Sequence, residues 1–142
     1  MRASVGTPQG GSSGMAEIHH IELVREGVAE WNRRRPAEID LSRADLRGID
    51  LPGGDLRGAD LRRAFLPEAN LRGANLHGAD LRRANLAHVD LRGADLTGAD
   101  LRGAELLRAN LAGTTLRGAL FHTANLHGAH IDHVQVDVTT TW

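Results

Sequence analysis

Ala59-Asp60-Leu61-Arg62-Arg63, Ala64-Phe65-Leu66-Pro67-Glu68, Ala69-Asn70-Leu71-Arg72-Gly73: through residues 59–73 an apolar centre returns at every fifth position. The frame extends both ways without a break. Leu holds the centre from Leu41 to Leu116, and Phe121, Leu126, Ile131 and Val136 continue it, so twenty centres cover residues 39–138 and seventeen are Leu. Two residues before the centre stands Ala in fourteen cases, the residue just before it is mostly Asp or Asn, and Gly stands two residues after it in eleven. A period of five suits neither regular element. On a helix each step of five turns about 140° and scatters the Leu around the cylinder, and on a flat strand successive Leu alternate between faces. A repeating bend is required. If each pentapeptide is one short side ending in a corner, the centre and the small residue two before it point inward. Gly then supplies the positive φ of the corner, and Asp or Asn bonds to nearby backbone. Such a unit buries its apolar face only by stacking, which makes the chain a solenoid.

Composition bounds the rest. The chain has 142 residues, 17 basic residues (all Arg), 18 Asp plus Glu and a net charge of −1. Aromatic residues make up 3% and Cys is absent, so 20 Leu and 20 Ala supply the apolar mass. No disulfide framework, thiolate metal site or Cys nucleophile is available. Balanced charge argues against a basic nucleic-acid binder. With no long apolar run and no signal-like N-terminus, a soluble cytoplasmic protein without membrane contact is expected. Residues 1–14, rich in Gly and Ser, read as a disordered leader or linker. In residues 15–36, Ile18, Ile21, Val24, Val28 and Trp31 fall at steps of three and four, which predicts one amphipathic helix stopped by Pro36. Residues 37–142 form the repeat rod, with Ile21, Val24, Val28 and Trp31 as its N-terminal cap.

The tandem A(D/N)LxG pattern, seen in Ala69-Asn70-Leu71-Arg72-Gly73 and Ala94-Asp95-Leu96-Thr97-Gly98, resembles the pentapeptide repeat family. The resemblance implies an all-β solenoid: a right-handed quadrilateral β-helix of about five coils, with four pentapeptides per coil and an N-terminal capping α-helix. Internally, Asp60-Leu61-Arg62-Arg63-Ala64 recurs as residues 80–84, twenty positions on. Residues 26–32 are similar to the helical lead-in of many bacterial members.

Sorting by twenty separates four faces. On the first, Asp40, Asp60, Asp80 and Asp100 stack beside Arg62, Arg82 and Arg102, with Arg43, Arg63 and Arg83 at the corner. This is either an anion-binding strip or like charges relieved by an opposite ladder. The second face turns Phe65, Pro67, Ala87 and Leu107 outward, as a partner site, as scattered surface hydrophobes, or as a seat for the N-terminal helix. The third and fourth carry Gly at nearly every corner (Gly53, Gly73, Gly93, Gly113; Gly58, Gly78, Gly98, Gly118). His122, His127, His130 and His133 crowd the last coil, but without Cys or helical spacing no metal or cofactor is expected. Outside the leader the only Ser is Ser42, Lys and Tyr are absent, and no phosphate loop or pocket-building insertion occurs, so catalysis is not expected.

At the C-terminal end Val134, Val136, Val138 and Trp142 either fold over the last coil or join two copies into a homodimer, the arrangement the resemblance favours. The reading is a non-catalytic scaffold that presents a surface to an unknown protein partner. The family's best-known activity, DNA mimicry toward DNA gyrase or topoisomerase IV with protection against inhibitors, is the alternative. It asks for an acidic strip, whereas residues 39–138 hold 12 Arg against 13 Asp plus Glu. A third reading is an idealised or engineered repeat scaffold without a dedicated partner.

Overall fold

A computed structural model describes residues 14–142, with side chains from Ile18 onward; the leader assigned to residues 1–14 lies outside them except for Gly14. The five-residue frame closes into a four-sided coil because each side is tied to the next coil by a parallel bridge between residues twenty apart. The first face runs Asp40, Asp60, Asp80, Asp100, Leu120. The second runs Asp45, Phe65, Asn85, Glu105, Asn125. The third runs Asp50, Asn70, Asp90, Asn110, His130, and the fourth Asp55, Asn75, Asp95, Thr115, Gln135. The bridging residue is always the one before the centre, so each side contributes a single bridge and no extended strand.

The corner explains the composition. Ala84 N–H donates to Leu81 C=O (3.0 Å), closing a four-residue turn, and the corner residue, third in the turn, has positive φ at every fifth position from Arg43 to His133, as in type II turns. The Asp or Asn before the centre caps the turn: Asp80 Oδ1 accepts Arg82 N–H (3.2 Å), and Asn110 Oδ1 accepts Ala112 N–H (3.1 Å). Inside, Leu centres and their Ala partners are buried from Leu41 to Ala119. Thr114, in an Ala position, is also buried and donates its hydroxyl to Leu111 C=O (2.8 Å). A narrow interior of Leu and Ala leaves little room for rings, which accounts for the low aromatic content.

The single helix expected over residues 15–36 is two helices, α1 (Gly14–Arg25) and α2 (Val28–Arg34). Gly27 separates them at φ 102, a conformation that breaks the continuous stripe. Ile18 is exposed, while Leu23, Val24 and Trp31 are buried and Ile21 and Val28 pack half-buried against the core. The chain ends α2 ahead of Pro36 as expected, with Arg35 extended (ψ 124).

The two helices also supply hydrogen bonds to the open edge of the first coil. Trp31 Nε1 donates to Asp55 C=O (2.8 Å). Asn32 imitates a peptide unit, accepting Asp55 N–H (2.8 Å) and donating to Gly53 C=O (3.1 Å). Arg35 reaches Asp55 C=O (3.1 Å) and Arg57 C=O (2.6 Å), and Arg25 reaches Asp45 C=O (3.1 Å). His20 Nδ1 accepts Asp40 N–H (3.1 Å).

At the other end the register slips by one. Leu120 bridges Thr141, twenty-one residues on, and Phe121 N–H donates to Thr141 C=O (2.7 Å). The extra residue is taken up in the turn at Asp137–Thr140, where Asp137 Oδ1 accepts Thr139 N–H (2.9 Å). The slip brings Trp142 to a centre position, stacked on the Phe121 ring with centroids 5.0 Å apart.

Candidate functional site

On the second face the structure places Phe65 outward and 36% exposed, with Pro67, Ala87 and Leu107 half-buried in the adjoining column. The helices do not cover this patch: among the described residues their side-chain hydrogen bonds to the rod end on residues 40, 45, 53, 55 and 57. Phe65 cannot cap its turn, but the residue it would cap is Pro67, which has no N–H and suits the second position of a type II turn. The two departures compensate one another, a coupling readable from the sequence once the cap is known. Arg47, bonded to Asp45 through both carboxylate oxygens (3.3 and 3.0 Å), lies over the Phe65 ring, 5.3 Å from its centroid.

The first face is an interlocked ladder. Arg62, Arg82 and Arg102 each grip the Asp two residues earlier through two hydrogen bonds of 2.6–2.9 Å, and Arg62 and Arg82 also approach the Asp of the next coil at 3.8 Å. The Arg102 guanidinium holds the Asp100 carboxyl below the usual carboxylate range. Burial opposes ionisation of Asp80, but the side-chain and backbone hydrogen bonds from Arg82 outweigh it and its value is also lowered. On the third face Arg92 does the same for Asp90. Relief of stacked carboxylates is therefore visible, and three of the strip's arginines are committed to it.

The four C-terminal histidines diverge. His122 lies on the first face, His127 on the second, and His130 and His133 at separate positions of the third. Among the described residues no group of three or more His, Cys, Asp or Glu is placed to hold a metal ion. No helix among them is long and apolar enough to cross a membrane.

The C-terminal end exposes Ile131 (48%), Val136 (48%) and Trp142 (55%), with Leu126 and Val134 half-buried beside them. Val138 departs from the expected apolar end: it sits at a corner and points fully to solvent. Of the two arrangements foreseen for Trp142, folding over the last coil is the one seen within the chain, with the ring still half open. The role of Trp142 as a displaced centre was hidden by the one-residue slip. Its only sequence signal is an aromatic residue twenty-one positions after Phe121.

The family model for pentapeptide repeats matches the chain in eight copies, over residues 39–78, 66–103, 79–118 and 104–137. Among solved structures, HetL, a pentapeptide repeat protein involved in heterocyst differentiation regulation from the cyanobacterium Nostoc sp. strain PCC 7120, is 38% identical. That match covers 75% of this chain and 47% of HetL, with a TM-score of 0.67. A pentapeptide repeat protein of the Arabidopsis thaliana thylakoid lumen is 38% identical over 64% of this chain and 60% of its own, with a TM-score of 0.57. QnrB1, a plasmid-mediated fluoroquinolone resistance protein, is 23% identical over 67% of this chain and 57% of its own, with a TM-score of 0.43. The chain thus spans less than two thirds of the length of these solved relatives. A search of curated proteins finds no match. Pentapeptide repeat proteins form right-handed quadrilateral β-helices, and the parallel bridging at twenty residues matches their coil of four pentapeptides.

Proposed function

The chain belongs to the pentapeptide repeat family, and from that premise we propose that it is a non-catalytic cytoplasmic scaffold. It is a rod of five coils and twenty pentapeptides, closed at one end by α1 and α2, whose second face meets a protein partner. One observation carries the reading: Phe65 stands exposed in a column otherwise made of Asp45, Asn85, Glu105 and Asn125, with Arg47 over its ring. Aromatic residues and Arg beside small apolar neighbours are the usual anchors of protein interfaces. The test is a pull-down with the intact rod against a variant carrying Phe65→Ser and Leu107→Ser. Loss of a captured protein supports the reading, and an identical captured set with both proteins removes it.

A second reading rests on the C-terminal end, where Ile131, Val136 and Trp142 leave apolar surface open beside Val134. Two copies joined end to end would cover it. Sedimentation showing only monomer at high concentration would reject that homodimer. DNA mimicry ranks below both because the outward charges of the rod nearly cancel. Protection of DNA gyrase from a quinolone in a supercoiling assay would reverse this ranking.

A further inference from the structure

Three corner arginines of the first face, Arg43, Arg63 and Arg83, are left over by its ladder, and the last two share a hollow. Arg63 and Arg83 occupy corners at φ 58 and 59, and among the described residues neither side chain forms a hydrogen bond or ion pair. With Arg62, Arg82 and Arg102 they line a solvent-open concavity of ≈ 490 Å³, completed by Gly103, His122 and Thr123. No carboxylate lines it. Its shape follows from the corner column, which reads Arg43, Arg63, Arg83, Gly103, Thr123 up the rod. At Gly103 a Cβ would stand 3.3 Å from Arg83 Cγ, so the missing side chain is what lets the Arg83 stem lean upward and leaves the hollow above it. Since Asp60, Asp80 and Asp100 neutralise Arg62, Arg82 and Arg102, the concavity keeps two uncompensated positive charges, one coil step of about 4.8 Å apart along the backbone.

We propose that this concavity binds a phosphate monoester, with Arg63 and Arg83 as the charged pair that holds its dianionic phosphoryl group. The charge count fits a single compact group of about −2. Guanidinium forks suit phosphate oxygens, and the Thr123 hydroxyl and His122 ring stand at the upper end as further hydrogen-bonding groups. The volume exceeds what a bare phosphate needs and leaves room for an organic moiety. A nucleic-acid strand fits less well, because it asks for unpaired cations along many coils, whereas here the cation column stops at Gly103.

The test is an amide NMR titration of the full chain with inorganic phosphate, O-phosphoserine and a short DNA duplex. Saturable shifts at Gly103 and Thr123 with the first two ligands are expected. O-phosphoserine binding more tightly than phosphate assigns the spare volume to the organic part, and equal binding assigns the site to the phosphoryl group alone. Glycine is the residue this fold uses at most corners, so a variant with both Arg63→Gly and Arg83→Gly keeps its fold. It should bind at least about tenfold more weakly, the loss of one charge-assisted hydrogen bond or more. Arg108→Gly, which removes an unpaired corner arginine of the second face, should bind as the parent does. Equal weakening in Arg108→Gly, shifts that spread over all faces without saturating, or tighter binding of the duplex than of O-phosphoserine would each overturn the proposal.

Discussion

Replacing Gly93 by Ala and Arg63 by Gly should change stability in opposite directions, for one backbone reason. Both residues are the third of a type II turn, at φ 68 and 58, in the left-handed region that a Cβ disfavours. At Gly93 an added Cβ would meet nothing within 4 Å, so packing is removed from the comparison. The left-handed conformation costs an L-residue about 1–2 kcal/mol. Against this, Ala has less conformational freedom to lose on folding than Gly, a difference of roughly 0.5–1 kcal/mol. Gly93→Ala should therefore destabilise by about 0.5–1 kcal/mol and Arg63→Gly should stabilise by a similar amount. For a chain of this length 1 kcal/mol corresponds to roughly 2–4 °C in Tm. Urea unfolding followed by circular dichroism reads both changes as a shift of midpoint at constant slope. If Gly93→Ala is neutral while Arg63→Gly destabilises, the corner is not strained in the way described and the side chain of Arg63 stabilises the rod.

Leu81→Ala, at a fully buried mid-rod centre, should cost about 2–5 kcal/mol by cavity formation, while Arg82→Ala beside it should cost no more than about 1 kcal/mol; comparable losses would contradict the inward register. Asn32→Ala removes the partner of Asp55 N–H and Gly53 C=O and should lower stability by about 1–3 kcal/mol in urea unfolding, an effect absent if the helices are not seated on the first coil. The lowered carboxyls of Asp80, Asp90 and Asp100 contribute stability at neutral pH that is lost as acid protonates them in the fold. Tm should hold from pH 7 to about 5 and fall below about 4, and a Tm unchanged down to pH 2.5 would contradict the ladder. Deleting Trp142 uncovers Phe121 and should cost about 0.5–1.5 kcal/mol; because Trp31 is buried, the deletion should also remove most of the acrylamide-accessible fluorescence.

What could be read from the sequence was whatever repeats. The inward pair of positions and the turn-capping role of Asp and Asn follow from a period that fits neither helix nor flat strand, while the twenty-residue stacking came from the family resemblance, supported by the recurrence of residues 60–64 at 80–84. The misses fall where the chain departs from repetition. Hydrophobic spacing continues across Gly27 as if the helix did, so the apolar pattern predicted one helix where there are two, and within the first it placed Ile18 on the inward stripe and passed over Leu23, whereas Ile18 is exposed and Leu23 buried. Asp137-Val138-Thr139-Thr140 adds one residue to a coil, and a reading in strict fives then assigns Val138 to the apolar end and leaves Trp142 without a place. The candidate patch was legible as Phe65 with Pro67, but its coherence required the turn-capping bond that Phe65 cannot make and Pro67 does not need. The histidines looked clustered only because closeness in sequence is not closeness on a square coil, where five residues turn a corner.

The corners also separate the faces by what they demand. Eight corner residues other than Gly hold positive φ, and seven lie on the first two faces: Arg43, Arg63, Arg83 and Thr123 on one, Glu68, His88 and Arg108 on the other. On the third and fourth faces every corner from Gly53 to Gly118 that closes a regular coil is Gly. Folding alone favours Gly at all of these sites, since its backbone takes the conformation without steric penalty. A rod with a uniform, fully buried Leu and Ala interior can carry several such strained corners and remain folded, because each costs about as much as one ordinary surface mutation. What distinguishes the first two faces is then the side chains themselves, charged or hydrogen-bonding, set beside the Arg63 and Arg83 concavity on one face and the Phe65 patch on the other. The Gly corners leave the third and fourth faces smooth, whereas the strained corners give the first two faces their charged and hydrogen-bonding side chains.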